Sequence, residues 1–208
     1  MPKIICIMPV FNCDDVILES LKSIDDKVDE IHCCDGRWSA RNGPDCSTDN
    51  TEQVIKAFAE HSKSKVTYKC YPPMHEWEAR NAMAKDVADG DWIFFLDSDE
   101  IVLEWVNVRE TIATSTEKAY RVCCVLFKTY AAVPNAKFYR KTSTLYYNFN
   151  HREIFDKDGW IAVPRLPIIH IVYDHQPEAA TKKDRKAMSE SEVRLHEYEQ
   201  KVLKNQNC

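Results

Sequence analysis

Four glycines in 208 residues leave no glycine-rich phosphate loop with a lysine beside it, so that route to a nucleotide-binding enzyme has no signature here. No cysteines stand in Cys-x-x-Cys spacing, which removes the signature of zinc ribbons and of thioredoxin-like redox chemistry. No run of lysines and arginines occurs and the net charge is −5, so nucleic acid and anionic bilayers are not expected partners. No apolar stretch approaches the roughly 20 residues of a membrane span, and the opening Met1-Pro2-Lys3-Ile4-Ile5-Cys6 enters a strand without a signal-peptide core. Internal repeats and low-complexity segments are also missing. The expectation is a cytoplasmic protein whose nine cysteines are buried free thiols, acting as small hydrophobes.

What the chain does contain is a short apolar run, Trp92-Ile93-Phe94-Phe95-Leu96, that stops at Asp97-Ser98-Asp99-Glu100. Such a run reads as a strand buried on both faces of a parallel sheet. If the backbone stays extended, Asp97 and Asp99 point the same way and Ser98 the other. Two like charges on one side repel, and a divalent cation relieves the repulsion; Mg²⁺ and Mn²⁺ favour such oxygen ligands and fill their remaining positions with water and substrate phosphates. The alternative is a strand that runs into an acidic surface turn.

The surroundings favour an α/β fold. Lys3 to Met8, Val28 to Cys34 and Val66 to Tyr71 read as strands. Helical spacing of apolar residues marks Asp14 to Ile24, then a segment after Ser47-Thr48-Asp49-Asn50 burying Val54, Ile55, Phe58 and Ala59, then about His75 to Ala88 with Gly90 as its C-cap. This βαβαβαβ rhythm predicts a mainly parallel central sheet flanked by helices, with ligands held beyond the carboxyl ends of the strands. After Glu100 the strands Ala119 to Tyr130, Lys137 to Lys141, Thr144 to Phe149 and Ile168 to Tyr173 predict mixed sheet. Residues 178–204 read as an amphipathic helix. The expected organisation is one domain over 1–208, with a nucleotide-binding half at 1–100, an acceptor and metal half at 101–175 and a C-terminal helix at 176–208, possible as one domain of a longer polypeptide.

Taken in order, Ile4 to Asn12, Asp35-Gly36, Ser47-Thr48-Asp49-Asn50-Thr51, Ala79-Arg80-Asn81-Ala82 and Gly90 to Asp99 resemble the family 2 glycosyltransferases of the GT-A fold. The resemblance covers most of the chain and departs from the family pattern at Arg37 to Cys46, an insertion between glycine and serine. It implies that Pro9, Phe11 and Asn12 line the nucleotide pocket and that Asp35 accepts a hydrogen bond from a pyrimidine N–H, a role that suits an acceptor-only carboxylate. Asp35 as a simple turn residue is the alternative. Arg80 is implied beside the diphosphate or bracing the acidic strand, Asp97 and Ser98 at the nucleotide, and Asp97 and Asp99 at the metal. The third metal ligand is expected at His170, with His175 as competitor. Glu153 is the candidate base, and Asp156 and Asp158 are its alternatives.

The function so implied is a metal-dependent transfer of a hexose from a UDP-sugar to a hydroxyl of a carbohydrate or glycan acceptor, assisted by Mn²⁺ or Mg²⁺. Two other readings stay open: a non-catalytic nucleotide-sugar-binding domain of a larger protein, and a nucleotidyltransferase. Trp77, Trp105 and Trp160 are candidates for stacking on a sugar ring, with a core position as the alternative for each.

Overall fold

The computed structural model describes residues 1–37, 44–126, 129–131, 137–144, 146–147, 154–156, 159–161 and 167–175, all within one compact unit, Met1–His175. The C-terminal helix expected over 176–208 lies outside the described residues. The first half alternates strand and helix: β1 (Ile4–Val10), α1 (Ile17–Ile24), β2 (Glu30–Asp35), α2 (Thr51–Ala59), β3 (Lys65–Cys70), α3 (Glu76–Ala84) and β4 (Trp92–Phe95). Then come β5 (Glu100–Trp105), α4 (Val108–Thr114), β6 (Ala119–Leu126), β7 (Thr129–Ala131), β8 (Phe138–Arg140), β9 (Tyr146–Tyr147), β10 (Ile154–Asp156), β11 (Gly159–Ile161) and β12 (Ile168–His175).

A nine-stranded sheet runs β3-β2-β1-β4-β8-β6-β12-β5, with β7 paired to β6, and β11-β10-β9 form a separate three-stranded sheet. β1, β2, β3 and β4 are mutually parallel. β8 runs antiparallel to both β4 and β6. β12 is parallel to β6 and antiparallel to β5. The sheet is therefore parallel in its first half and mixed in its second, as the apolar patterning implies.

The parallel half is stable because its central strands are buried on both faces. Ile4, Cys6, Ile7 and Met8 of β1 and all four residues of β4 are fully buried. Trp92 stacks on Phe138 at 5.0 Å between ring centroids, and Phe94 meets Trp105 edge-on at 5.5 Å, so Trp105 packs against the aromatic core. α1 seals one face through Ile17, Leu21 and Ile24. α2 buries Ile55, while Val54 and Phe58 are half-buried and Ala59 is exposed.

Several boundaries differ from expectation for local reasons. α3 ends at Ala84, not Ala88, because Lys85 and Val87 turn back onto the carbonyls of Ala82 and Ala84 at 3.3 Å each, the tighter bonding of a closing turn. Gly90 then takes φ +95, a backbone conformation open to glycine, before β4 begins. β5 and α4 occupy residues where no element was expected. The expectation of free thiols throughout is corrected at one pair: Cys46 and Cys70 form a disulfide, with Cα atoms 5.9 Å apart. Their proximity follows from β-register, since Cys70 sits opposite Asp35 and Asp35 holds Ser47, the neighbour of Cys46. Cys6, Cys13, Cys33 and Cys34 are buried free thiols. Among the described residues no helix is long and apolar enough to cross a membrane.

Candidate functional site

β1 lies between β2 and β4, so the strand order reverses there, the place where open α/β sheets hold ligands beyond the carboxyl ends of their strands. Pro9 is in β1 opposite Cys34, and Val10 is opposite Asp35. Phe11 and Asn12 follow β1. Asp35 closes β2, and Asp97 stands two residues beyond β4. The topology thus gathers Pro9, Phe11, Asn12, Asp35 and Asp97 at one sheet edge.

On the β2 side the loops are knitted together through Ser47. Asn12 has φ 47, in the left-handed region that asparagine tolerates. Its N–H donates to Ser47 Oγ and its Oδ1 accepts the Thr48 N–H, both at 2.8 Å. Ser47 in turn donates to Asp35: the N–H reaches Oδ1 and Oδ2 at 3.1 and 3.0 Å, and Oγ reaches Oδ1 at 2.9 Å. The Tyr68 hydroxyl donates to Asp35 Oδ2 at 2.5 Å. Burial pushes the Tyr68 phenol up from its ordinary range, and the bond to Asp35 adds to the shift. Asp35 is completely buried. A carboxylate offers about four lone-pair directions, and Ser47 and Tyr68 engage both oxygens. Asp35 is thus an anchor that ties the Asn12 and Ser47 loops to the end of β2.

On the β4 side the acidic tripeptide is a turn, not extended strand. β4 stops at Phe95, and the Glu100 N–H donates to the Asp97 carbonyl at 3.0 Å, so strand alternation does not set the directions of Asp97 and Asp99. The Ser98 carbonyl accepts the Ser20 hydroxyl of α1 at 2.7 Å. Arg80 of α3 braces the acidic segment: it is buried, its Nη2 is 3.6 Å from Asp97 Oδ1, and its guanidinium lies 4.8 Å from the centroid of the Phe95 ring. Lys137 Nζ stands 3.6 Å from Asp97 Oδ2 and donates to both carboxylate oxygens of Glu100. Glu100 Oε2 accepts the Asp97 N–H at 2.8 Å. Burial raises the Glu100 carboxyl above the usual carboxylate range, Asp97 adds to the rise and Lys137 opposes it. For Lys137, burial works against the ammonium but Asp97 and Glu100 outweigh it, and the net direction is up.

The sequence reading passed over Lys137, Glu100 and Tyr68. Glu100 had a signal, as the acid that follows Asp97 and Asp99 directly. Tyr68 and Lys137 had none, because each reaches the site through strand pairing. Arg37 is a further case: its Nε and Nη1 are buried without a hydrogen-bond partner among the described residues, immediately after Asp35-Gly36.

The donor set suits Mn²⁺ or Mg²⁺ in its chemistry. Asp97 and Asp99 are partly exposed carboxylates on one short turn, hard oxygen ligands of the kind these ions prefer. Among the described residues no group of three or more histidine, cysteine, aspartate or glutamate side chains forms a complete metal cluster. The register of β12 places the backbones of the two candidate histidines differently. His175 pairs with Glu100, next to Asp99, whereas Ile171 already pairs with Trp105 at the far end of β5. The backbone of His170 is therefore about 16 Å from that of His175 along the strand, at about 3.3 Å per residue. A bulge between Val172 and Tyr173 also defeats the counting of alternate faces. Glu153 and Asp158 lie outside the described residues, and Asp156 ends β10.

The model of Glycosyl transferase family 2 matches residues 5–167. Among solved structures, S. aureus TarS is similar at 16% identity and a TM-score of 0.55, covering 84% of this chain and 36% of that one. A second structure, S. aureus TarS 1–349, is similar at 18% identity and a TM-score of 0.50, covering 66% of this chain and 47% of that one. The chain thus spans less than half the length of either structure, and at these identities the likeness speaks to fold, which is the GT-A fold. No curated protein matches the chain.

Proposed function

Because the chain belongs to glycosyl transferase family 2, we propose that it moves a hexose from a UDP-sugar to a hydroxyl of a carbohydrate acceptor, with Mn²⁺ or Mg²⁺ as cofactor. The observation that carries this reading is the reversal of strand order at β1, which puts the Asn12 loop, Asp35 and the Asp97–Glu100 turn on one edge. Pro9, Phe11 and Asn12 form the nucleotide side, and Asp35 meets the pyrimidine N–H by sharing or exchanging one of its Ser47 contacts. Asp97 and Ser98 face the ribose and diphosphate end. Asp99 and Asp97 hold the metal, and His175 joins them in preference to His170 on the strength of its register with Glu100.

Cleavage of the sugar–phosphate bond builds positive charge at the anomeric carbon and negative charge on the departing diphosphate. A cation held by Asp97 and Asp99 would, when bound, supply Lewis-acid stabilisation of that diphosphate. The protein's part is preorganisation. Arg80 and Lys137 hold Asp97 in place before the donor arrives, so little reorganisation is needed as charge develops. Glu153 is proposed to take the acceptor's proton, with Asp156 or Asp158 in its place if Glu153 lies out of reach. Transfer of the sugar to water provides the simplest test. Wild-type protein with Mn²⁺ is expected to release UDP from a UDP-sugar slowly without acceptor, and Asp99→Ala is expected to lower that rate by about 10²–10³-fold. Tight UDP-sugar binding with no turnover under any metal or acceptor favours a binding module. Pyrophosphate release from UTP and a sugar phosphate favours a nucleotidyltransferase.

A further inference from the structure

Lys137 is 6% exposed, an unusual place for an ammonium unless it is paired. It precedes β8, which runs antiparallel to β4 with Phe138 opposite Phe94, and the Lys137 carbonyl accepts the Phe95 N–H at 2.9 Å. The chain therefore delivers this lysine to the point where β4 ends and the acidic turn begins. Its Nζ lies 4.5 Å from the centroid of the Tyr173 ring, itself buried, so an aromatic face from β12 backs the charge. From there the ammonium reaches both Glu100 oxygens and stands beside Asp97 Oδ2. Glu100 passes the restraint back to the main chain by accepting the Asp97 N–H. Asp97 is consequently gripped at its backbone through Glu100 and at its side chain by Lys137 and Arg80.

A buried ion pair is a poor way to gain stability, since apolar residues of similar volume hold a core as well or better. What an apolar pair cannot do is orient a carboxylate. Resting on the donor site proposed above, we infer that Lys137 is a positioning residue: through Glu100 and Asp97 it fixes the shape of the turn that receives the ribose and diphosphate of the nucleotide sugar.

The test compares wild type, Lys137→Met/Glu100→Gln, Lys137→Arg and Asp97→Asn by the affinity for UDP in the presence of Mn²⁺, with circular dichroism as the check on folding. The paired replacement removes both buried charges together, so neither is left uncompensated. It is expected to fold and to bind UDP at least tenfold more weakly. Placed on an Asp97→Asn background it is expected to add less than threefold, because both changes act through one carboxylate. Lys137→Arg keeps the charge but moves it, and is expected to fold and bind three- to tenfold more weakly; if the paired replacement does not fold, this variant decides alone. Wild-type affinity in the folded paired variant, wild-type affinity in Lys137→Arg, or full additivity with Asp97→Asn overturns the inference. Failure of the wild type itself to bind UDP overturns the donor-site reading, and this inference with it.

Discussion

Asp35 at the end of β2 and Asp97 beyond the end of β4 flank β1 on opposite sides, yet they are held by different means. Asp35 is sealed from solvent and met by an amide and two hydroxyls, from Ser47 and Tyr68. Asp97 keeps 37% of its side chain exposed and is met by a guanidinium and an ammonium, from Arg80 and Lys137. Neutral donors localise a buried carboxylate and tie loops to it, so Asp35 works first as a fastening. The two cations restrain Asp97 through its separate oxygens, while the side chain stays partly exposed. The same residue type is therefore sealed by neutral donors on one side of β1 and held by cations at a partly exposed position on the other.

Substituting each carboxylate by its amide gives the largest contrast. Asp35→Asn replaces acceptor lone pairs with donors that face the Ser47 N–H or the Tyr68 hydroxyl, and is expected to cost about 1–3 kcal/mol, lowering Tm by about 2–12 °C for a chain of this size. Asp97→Asn is expected to lower Tm by less than about 4 °C but to reduce donor turnover by about 10²–10³-fold. Thermal denaturation and UDP release measured on both variants check the pair, and the contrast fails if Asp97→Asn proves the less stable. A smaller effect sharpens the β2 side alone. Tyr68→Phe removes one of the donors to Asp35 and is expected to cost about 1 kcal/mol, a fall in Tm of about 2–4 °C, with donor affinity changed less than by Asp97→Asn.

How much of this was legible in the chain depended on whether a residue acts near its own element. The parallel half was readable because each strand and helix carries its periodicity locally, and Asn12, Asp35 and Asp97 stand at or just beyond the carboxyl ends of β1, β2 and β4. Arg80 stands on a helix whose pattern is local, and its ion pair with Asp97 is the one part of its expected placement the structure describes. The turn at Asp97-Ser98-Asp99 was not readable, because an apolar run does not announce where extension stops; the Glu100 N–H to Asp97 carbonyl bond and the Glu100 carboxyl on the Asp97 N–H close it. Lys137 was invisible for a topological reason: it reaches Asp97, 40 positions earlier in the chain, because β8 pairs antiparallel with β4. The different places of His170 and His175 along β12 were hidden similarly, since both stand on one strand and only the register with β5 separates their backbones. Cys46 and Cys70 meet through the β2–β3 register and the Ser47 anchor, neither of which composition reveals.

The central claim, that the edge formed by the Asn12 loop, Asp35 and the Asp97–Glu100 turn receives a nucleoside diphosphate with a divalent cation, is tested most directly by thermal shift. UDP and UDP-sugars with Mn²⁺, at about 100 times the dissociation constant, are predicted to stabilise the protein by about 2.7 kcal/mol, a rise in Tm of about 5–10 °C. The rise is predicted to shrink sharply without Mn²⁺ and in Asp99→Ala. No rise with any nucleotide, or a rise that Asp99→Ala leaves intact, contradicts the account.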